Sequence, residues 1–239
     1  MMVYSRTDIG NKRAENQDSF RTVELDNAVF AVVCDGMGGQ NAGKEAGERT
    51  SVFVAEQIEG KYSPEFDSNR IRNIMVSAVR SANAVVYELG CAIPEWNGMG
   101  TTCVAVLVRD NTLHVINVGD SRAYLITHQI TQITKDHSMV MDLYESGDIT
   151  KAELKTHPKR NIITRAIGVS EDVEPDYFEY EIPDGAAILL CSDGLYNFCD
   201  EGLMFRTIKD MPPDEAVAHL VQTALDNEGG DNITAVLIK

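Results

Sequence analysis

The stretch VVCDGMGGQNAGKEA, residues 32–46, decides how this chain is read. An apolar run reaches Asp35, breaks into glycines at 36, 38, 39 and 43, and gives way to the Ala, Glu and Lys of a helix start. A carboxylate closing a buried strand needs company, because an unpaired charge near a core is costly. Two kinds of site have roughly this shape: a loop that cradles phosphate and a carboxylate cluster that holds a cation. Residues 38–44 spell G-x-x-x-x-G-K, but Glu45 follows where a nucleotide loop needs Ser or Thr, and a carboxylate there repels phosphate. Such a loop also sits in a parallel sheet, whereas the strands of this chain read as antiparallel.

Asp35 is not alone. VVCDG, LLCSDG, INVGD and EGGDN set Asp35, Asp193, Asp120 and Asp231 next to glycine and beside apolar strands, and Asp18 in RAENQDSF precedes another strand-like run. Any one of these has an ordinary explanation, since Asp and Gly are standard turn residues. The explanation weakens for Asp35 and Asp193, each of which follows a fully apolar run. Several carboxylates at one end of a sandwich repel unless a cation neutralises them, and oxygen ligands suit a hard ion such as Mg²⁺ or Mn²⁺ rather than zinc. Glycine at 36 lets a backbone carbonyl approach such an ion.

Composition narrows the choice. The 239 residues carry 21 Lys+Arg against 37 Asp+Glu, a net charge of −16, which argues against a nucleic-acid binder. With 44% hydrophobic residues the chain can build a sizeable core. The five cysteines are odd in number and form no CxxC pair; Cys34, Cys103 and Cys191 lie inside apolar runs, which suits a reducing compartment. No signal peptide and no run as long as a membrane span is seen, so a cytoplasmic protein is expected. HExxH, G-x-S-x-G and zinc-type His/Cys spacings are all missing from the sequence. His137 is read as capping or lining a helix start, and Trp96 as a packing or rim residue.

No repeat or linker divides the chain. Ala46, Thr50, Phe53, Val54 and Ile58 recur at helical spacing, as do Ile71, Ile74, Met75, Ala78, Ala82, Val85 and Leu89. KYSPEFDSN between them makes a helical hairpin. Residues 101–133 read as three β-runs broken at Asp110-Asn111 and Gly119-Asp120, an antiparallel meander. An irregular stretch follows to about Gly168. Then come two strands, DYFEYEIP and AAILLCSD, a helix carrying Val217, Leu220, Val221 and Ala224, and the strand NITAVLI. A β-sandwich flanked by helices buries all of these.

The ordered motifs R-x-x-N-Q-D (13–18), D-G-M-G-G (35–39), G-T-T (100–102), V-G-D-S-R (118–122), K-D-H-S (135–138), N-I-I-T-R-A-I-G (161–168), S-D-G-L (192–195) and G-D-N-I-T (230–234) span nearly the whole sequence. Together they resemble the metal-dependent serine/threonine protein phosphatases of type 2C in their compact bacterial form. The resemblance implies an α+β fold, a four-layer α-β-β-α sandwich of two antiparallel sheets. It implies one catalytic domain over residues 1–239, with residues 139–168 as a flap subdomain. Carried over by position, Asp35 bridges two Mn²⁺ or Mg²⁺ ions, Asp193 and Asp231 complete one ion's shell, and the Gly36 carbonyl serves the other. Asp18 holds water from behind, Asp120 with Asp193 matches a weaker third site, and Arg13 grips the substrate phosphate. A water bridging the ions attacks phosphorus directly. The implied partners are phosphorylated proteins, substrates of a cognate Ser/Thr kinase, acted on by a monomer with no part for nucleic acid or membrane.

Gln40 departs from the pattern. Many members of the family carry there a histidine thought to protonate the departing oxygen, and an amide cannot act as a general acid near neutral pH. Position 17 is Gln where relatives often have Glu. Two other readings therefore stand beside a phosphoprotein phosphatase: a phosphatase-like binding module without turnover, and a phosphatase of small phosphate esters.

Overall fold

A computed structural model describes residues 1–39 and 42–239. The chain opens with β1 (Val3–Asp8), β2 (Asp18–Glu24) and β3 (Ala28–Met37), then the helices α1 (Ala42–Lys61) and α2 (Ser68–Ala92). The short β4 (Gly100–Thr101) leads into β5 (Cys103–Arg109), β6 (Thr112–Val118), β7 (Arg122–Ile126) and β8 (Ile130–Gln132). After α3 (Met139–Glu145) and an irregular segment come β9 (Asp176–Glu181), β10 (Ala187–Cys191), α4 (Asp193–Tyr196), α5 (Glu201–Asp210), α6 (Pro213–Asp226) and β11 (Ile233–Ile238).

Two sheets form, ordered β1-β11-β10-β7-β8 and β2-β3-β5-β6-β9, with β4 paired to β3. Among the described residues every strand pairing is antiparallel, which removes the sheet a nucleotide loop needs. Strand alternation sorts the side chains into three apolar layers. Ala31, Val33, Val104 and Val106 meet Ile188, Leu190, Val236 and Ile238 between the sheets. Phe30, Val32, Cys34 and Leu107 turn the other way, onto Val54, Ile58, Ile71 and Met75 of α1 and α2. Leu189, Cys191 and Leu237 pack on Met204 and Ile208 of α5 and Leu220 and Val221 of α6. The four-layer α-β-β-α sandwich is thus observed, and burial on both faces explains why its strands read as continuous apolar runs.

The helices follow their sequence signals. Asp67 caps α2 by accepting from the Arg70 N–H at 2.7 Å. Along α2 the buried stripe runs Ile71, Ile74, Met75, Ala78, Val79, Ala82 and Val86. Val85, expected in the stripe, is instead exposed, because a period of 3.6 carries the buried face from 82 to 86.

The meander expectation holds at Asp110-Asn111 and fails at Gly119-Asp120. There β6 stays with β5 and β9, while β7 joins β10 in the other sheet. The turn is a crossover between layers. Likewise β9 and β10 belong to different sheets. β1, α4 and α5 are elements the sequence reading did not separate.

Candidate metal centre

β3 does not stop at Asp35. It runs on to Met37, its last residues paired with β4. Asp35 shares strand parity with Ala31 and Val33, so it points between the sheets. Asp18 opens β2 rather than preceding it and is the direct register partner of Asp35. From the opposite sheet, Asp193 follows β10 and Asp231 precedes β11. Asp120 sits in the crossover between β6 and β7. The five aspartates singled out by sequence therefore gather at one end of the sandwich.

Their charges act on one another. Burial first, then the charges of Asp18, Asp193, Asp120 and Asp231, push the Asp35 carboxyl well above the usual carboxylate range. Burial likewise raises Asp18 to about 7, against the pull of hydroxyls from Ser192 and Thr234. Asp120 is pushed to about 7 by burial and Asp193, and Asp193 to about 6 by burial and Asp231, opposed by Arg13 and Arg122. Burial and mutual repulsion thus outweigh what Arg13 and Arg122 offset.

Each is held by neighbours. Asp18 Oδ2 accepts from Ser192 Oγ at 2.6 Å and Thr234 Oγ1 at 2.7 Å, while its Oδ1 is buried with no partner. Asp193 Oδ2 accepts from Asn197 at 3.2 Å, and its Oδ1 too is buried and unpartnered. Thr102 Oγ1 accepts from the Asp35 N–H at 2.8 Å and exchanges a hydrogen bond with Ser121 Oγ at 2.7 Å. Asn232 ties the segment carrying Asp231 to the loop between β1 and β2, accepting from the Gln17 N–H and donating to the carbonyls of Ile9 and Glu15. These hydroxyl and amide supports were not picked out from sequence. Their signal lay in the motifs themselves, as the Ser and Thr of S-D-G, G-D-S and G-D-N-I-T and the second Thr of G-T-T.

Arg13 lies at the mouth, 2.6 Å from Asp231 Oδ2 and about half exposed. That bond keeps its guanidinium more firmly protonated than usual. Gly36 is required sterically: a Cβ there would lie 2.0 Å from the Gly43 carbonyl oxygen of α1 and 2.8 Å from that of Gln17. Asp120 and Asp193 line a cavity of about 260 Å³, together with Arg122, Tyr196, Lys155 and Arg160. Arg122 is spoken for, bonded to Asp136 at 2.6 Å and stacked over the Tyr196 ring. Glu45 of the rejected nucleotide loop pairs with Arg49 at 2.9 Å. Trp96 packs at the edge of the helical core under the Arg49 guanidinium. Gln40 lies outside the described residues.

Among the described residues no three His, Cys, Asp or Glu side chains are already drawn to metal-ligating spacing. The donor chemistry nonetheless fits a hard divalent cation: oxygen donors only, two of them buried and orphaned, beside a backbone cradle too narrow for a side chain.

The model of the protein phosphatase 2C family matches residues 11–237. The serine/threonine phosphatase stp of Listeria monocytogenes is 34% identical over 237 residues, 98% of this chain and 94% of that protein. The serine/threonine phosphatase PstP/Ppp of Mycobacterium tuberculosis superposes with a TM-score of 0.89 at 33% identity, covering 99% of this chain and 97% of the other. The catalytic domain of PstP in complex with two manganese ions gives 0.86 at 31% identity, over 99% and 96% of the two chains.

Proposed function

The chain belongs to the protein phosphatase 2C family, and from that premise we propose that it removes phosphate from phosphoserine and phosphothreonine in proteins, using Mn²⁺ or Mg²⁺ held by Asp35, Asp193, Asp231 and the Gly36 carbonyl. The observation that carries the reading is the pair of buried, unpartnered oxygens on Asp18 and Asp193 within a ring of mutually repelling carboxylates. Two such ions, when bound, supply Lewis acidity toward the phosphoryl group and a water acidic enough to attack near neutral pH.

The protein's own residues do the positioning. Asp35 lies between the two sheets and can serve both ions, with Asp193 and Asp231 on one side. Asp18, pinned through Oδ2 by Ser192 and Thr234, keeps Oδ1 aimed inward to orient water. Arg13 exchanges its bond with Asp231 for the substrate phosphate, which its planar fork matches in two-point fashion. Asp120 with Asp193 forms a weaker third cation site. Residues 139–168 act as the flap over the cavity, which takes substrate side chains next to the phosphorylated one. Gln40 cannot donate a proton, so the leaving alkoxide takes its proton from another group. We place the enzyme in the cytoplasm as a monomer opposing a Ser/Thr kinase in signalling; among the described residues no helix is long and apolar enough to cross a membrane.

Mn²⁺-dependent phosphate release from a phosphothreonine peptide and an aryl phosphate, with and without chelator, tests this. Hydrolysis of both supports the proposal. Hydrolysis of the aryl ester alone, with Gln40→His restoring the peptide, identifies a working metal site that lacks its acid, because phenolate departs without a donated proton. Mn²⁺ binding with no turnover of either ester favours the second reading, a phosphopeptide-binding module, which Gln40 itself motivates.

A further inference from the structure

His137 serves no purpose in the mechanism above, yet it is almost wholly buried and every polar atom of it is used. Its Nδ1 accepts from the Gly119 N–H at 3.0 Å, and its backbone N–H donates to the Gly119 carbonyl at 2.9 Å. Both polar groups of Gly119 are therefore held by one residue. Asn117 adds a bond to the same carbonyl at 3.2 Å. Gly119 is the residue before Asp120, in the crossover between the sheets.

The crossover has little freedom of its own to adjust. Gly119 has φ +103°, and a Cβ there would lie 2.6 Å from Thr102 Cγ2. The turn is pressed against the residue that accepts from the Asp35 N–H. Gly119 is buried, so its inward N–H takes its acceptor from the protein. An imidazole provides one only as the tautomer with its proton on Nε2. That proton is fixed by Asp176 Oδ2 at 3.1 Å, while Arg165 binds Asp176 Oδ1 at 2.7 Å and the Glu174 carbonyl at 2.8 Å. Burial first, and then the Arg165 guanidinium 3.0 Å from Nε2, disfavour a second proton on the ring against the pull of Asp176. The His137 carbonyl accepts from the Thr164 N–H at 2.9 Å, which joins the clamp to the C-terminal root of the flap segment.

We propose that His137 is a positioning residue that, through its two-point hold on Gly119, directs the Asp120 carboxylate toward Asp193 and so sets the affinity of the weaker cation site. The inference rests on the metal reading above. A purely structural histidine would contribute to stability alone; a positioning one alters a particular binding step. Groups that orient metal ligands from behind typically affect affinity about 10–100-fold when removed.

The test is a Mn²⁺ titration, counting free ion by electron paramagnetic resonance, on the wild-type chain and on His137→Leu, His137→Asn and Asp120→Asn. Thermal melting is recorded in parallel. His137→Leu should weaken the last Mn²⁺ to bind about 10–100-fold, as Asp120→Asn does, and leave the tighter binding unchanged. His137→Asn, whose Oδ1 can replace Nδ1 as acceptor, should stay close to wild type. A wild-type isotherm for His137→Leu overturns the inference, as does equal loss in His137→Asn, or loss of the tight ions with the weak one. Should His137→Leu fail to fold, Asp176→Ala takes its place, and an unchanged isotherm there counts against the proposal equally. A wild-type chain that binds no Mn²⁺ overturns the metal reading itself, an outcome distinct from all of these.

Discussion

Asp18 and Asp35 stand directly opposite each other across the β2–β3 ladder. Like charges so placed destabilise a sheet, and here both are raised by burial. A sequence selected for folding alone would not keep this pair. It makes sense if a cation held by Asp35 offsets the charge of both.

Replacing Asp35 by Asn should therefore stabilise the metal-free protein while destroying the site. Each kcal/mol of repulsion relieved raises Tm by about 2–4 °C in a chain of this size. Wild type should gain stability on adding Mn²⁺, by about 2.7 kcal/mol at a hundred times Kd, and the variant should not. Thermal melts with chelator and with Mn²⁺ read both effects. An Asp35→Asn protein that still responds fully to Mn²⁺ would remove Asp35 from the ligand set.

Arg13 offers a separate handle, because its bond to Asp231 is exposed and adds little to stability. Arg13→Ala should raise KM for a phosphopeptide about tenfold or more, the worth of a charge-assisted hydrogen bond, with Tm nearly unchanged. Arg13→Lys should recover only part of the loss, since an ammonium lacks the planar fork. Inhibition by inorganic phosphate should weaken in parallel. If KM and phosphate inhibition both stay at wild-type values, Arg13 does not grip the substrate.

His114, far along β6, should govern part of the acid response. It is fully buried, with Nδ1 2.7 Å from Tyr177 Oη, Glu179 at 3.6 Å and Nε2 unpartnered. Burial lowers its pKa from 6.5, Glu179 opposing and Arg109 assisting. The unfolded chain thus binds this proton more readily than the folded one, so the contribution is present above pH 6.5 and fades as pH falls. Urea unfolding at pH 7, 6 and 5 should show a steeper fall for wild type than for His114→Leu. Parallel curves would mean that the ring takes up its proton equally in both states, and that burial does not govern it.

Much of this architecture can be read from the chain because local and tertiary signals agree. Asp35 and Asp193 stand out as charges that close apolar runs, and α1, α2 and α6 as long stripes bounded by breakers. Reading fails where the local signal is sound but its partner lies elsewhere. Gly119-Asp120 has turn chemistry, and nothing in those two residues states that β7 leaves the sheet of β6. Val85 and Val86 are equivalent in composition; only the turn angle accumulated over α2 decides which is buried. Ser192, Thr102 and Thr234 stand inside the motifs, but their partners do not show there, because a hydrogen bond from residue 234 to Asp18 has no trace in local spacing.

That bond, the Arg13–Asp231 contact and the pairing of β1 with β11 have a consequence for the birth of the molecule. Residues 13 and 18 leave the ribosome long before residues 231 to 234 and must wait for them before their surroundings exist. Domains generally fold as units during synthesis, so a nascent chain carries nearly every functional group of the centre and none of its geometry. Competence arrives all at once, when the segment around residues 231 to 234 reaches the one around residues 13 to 18.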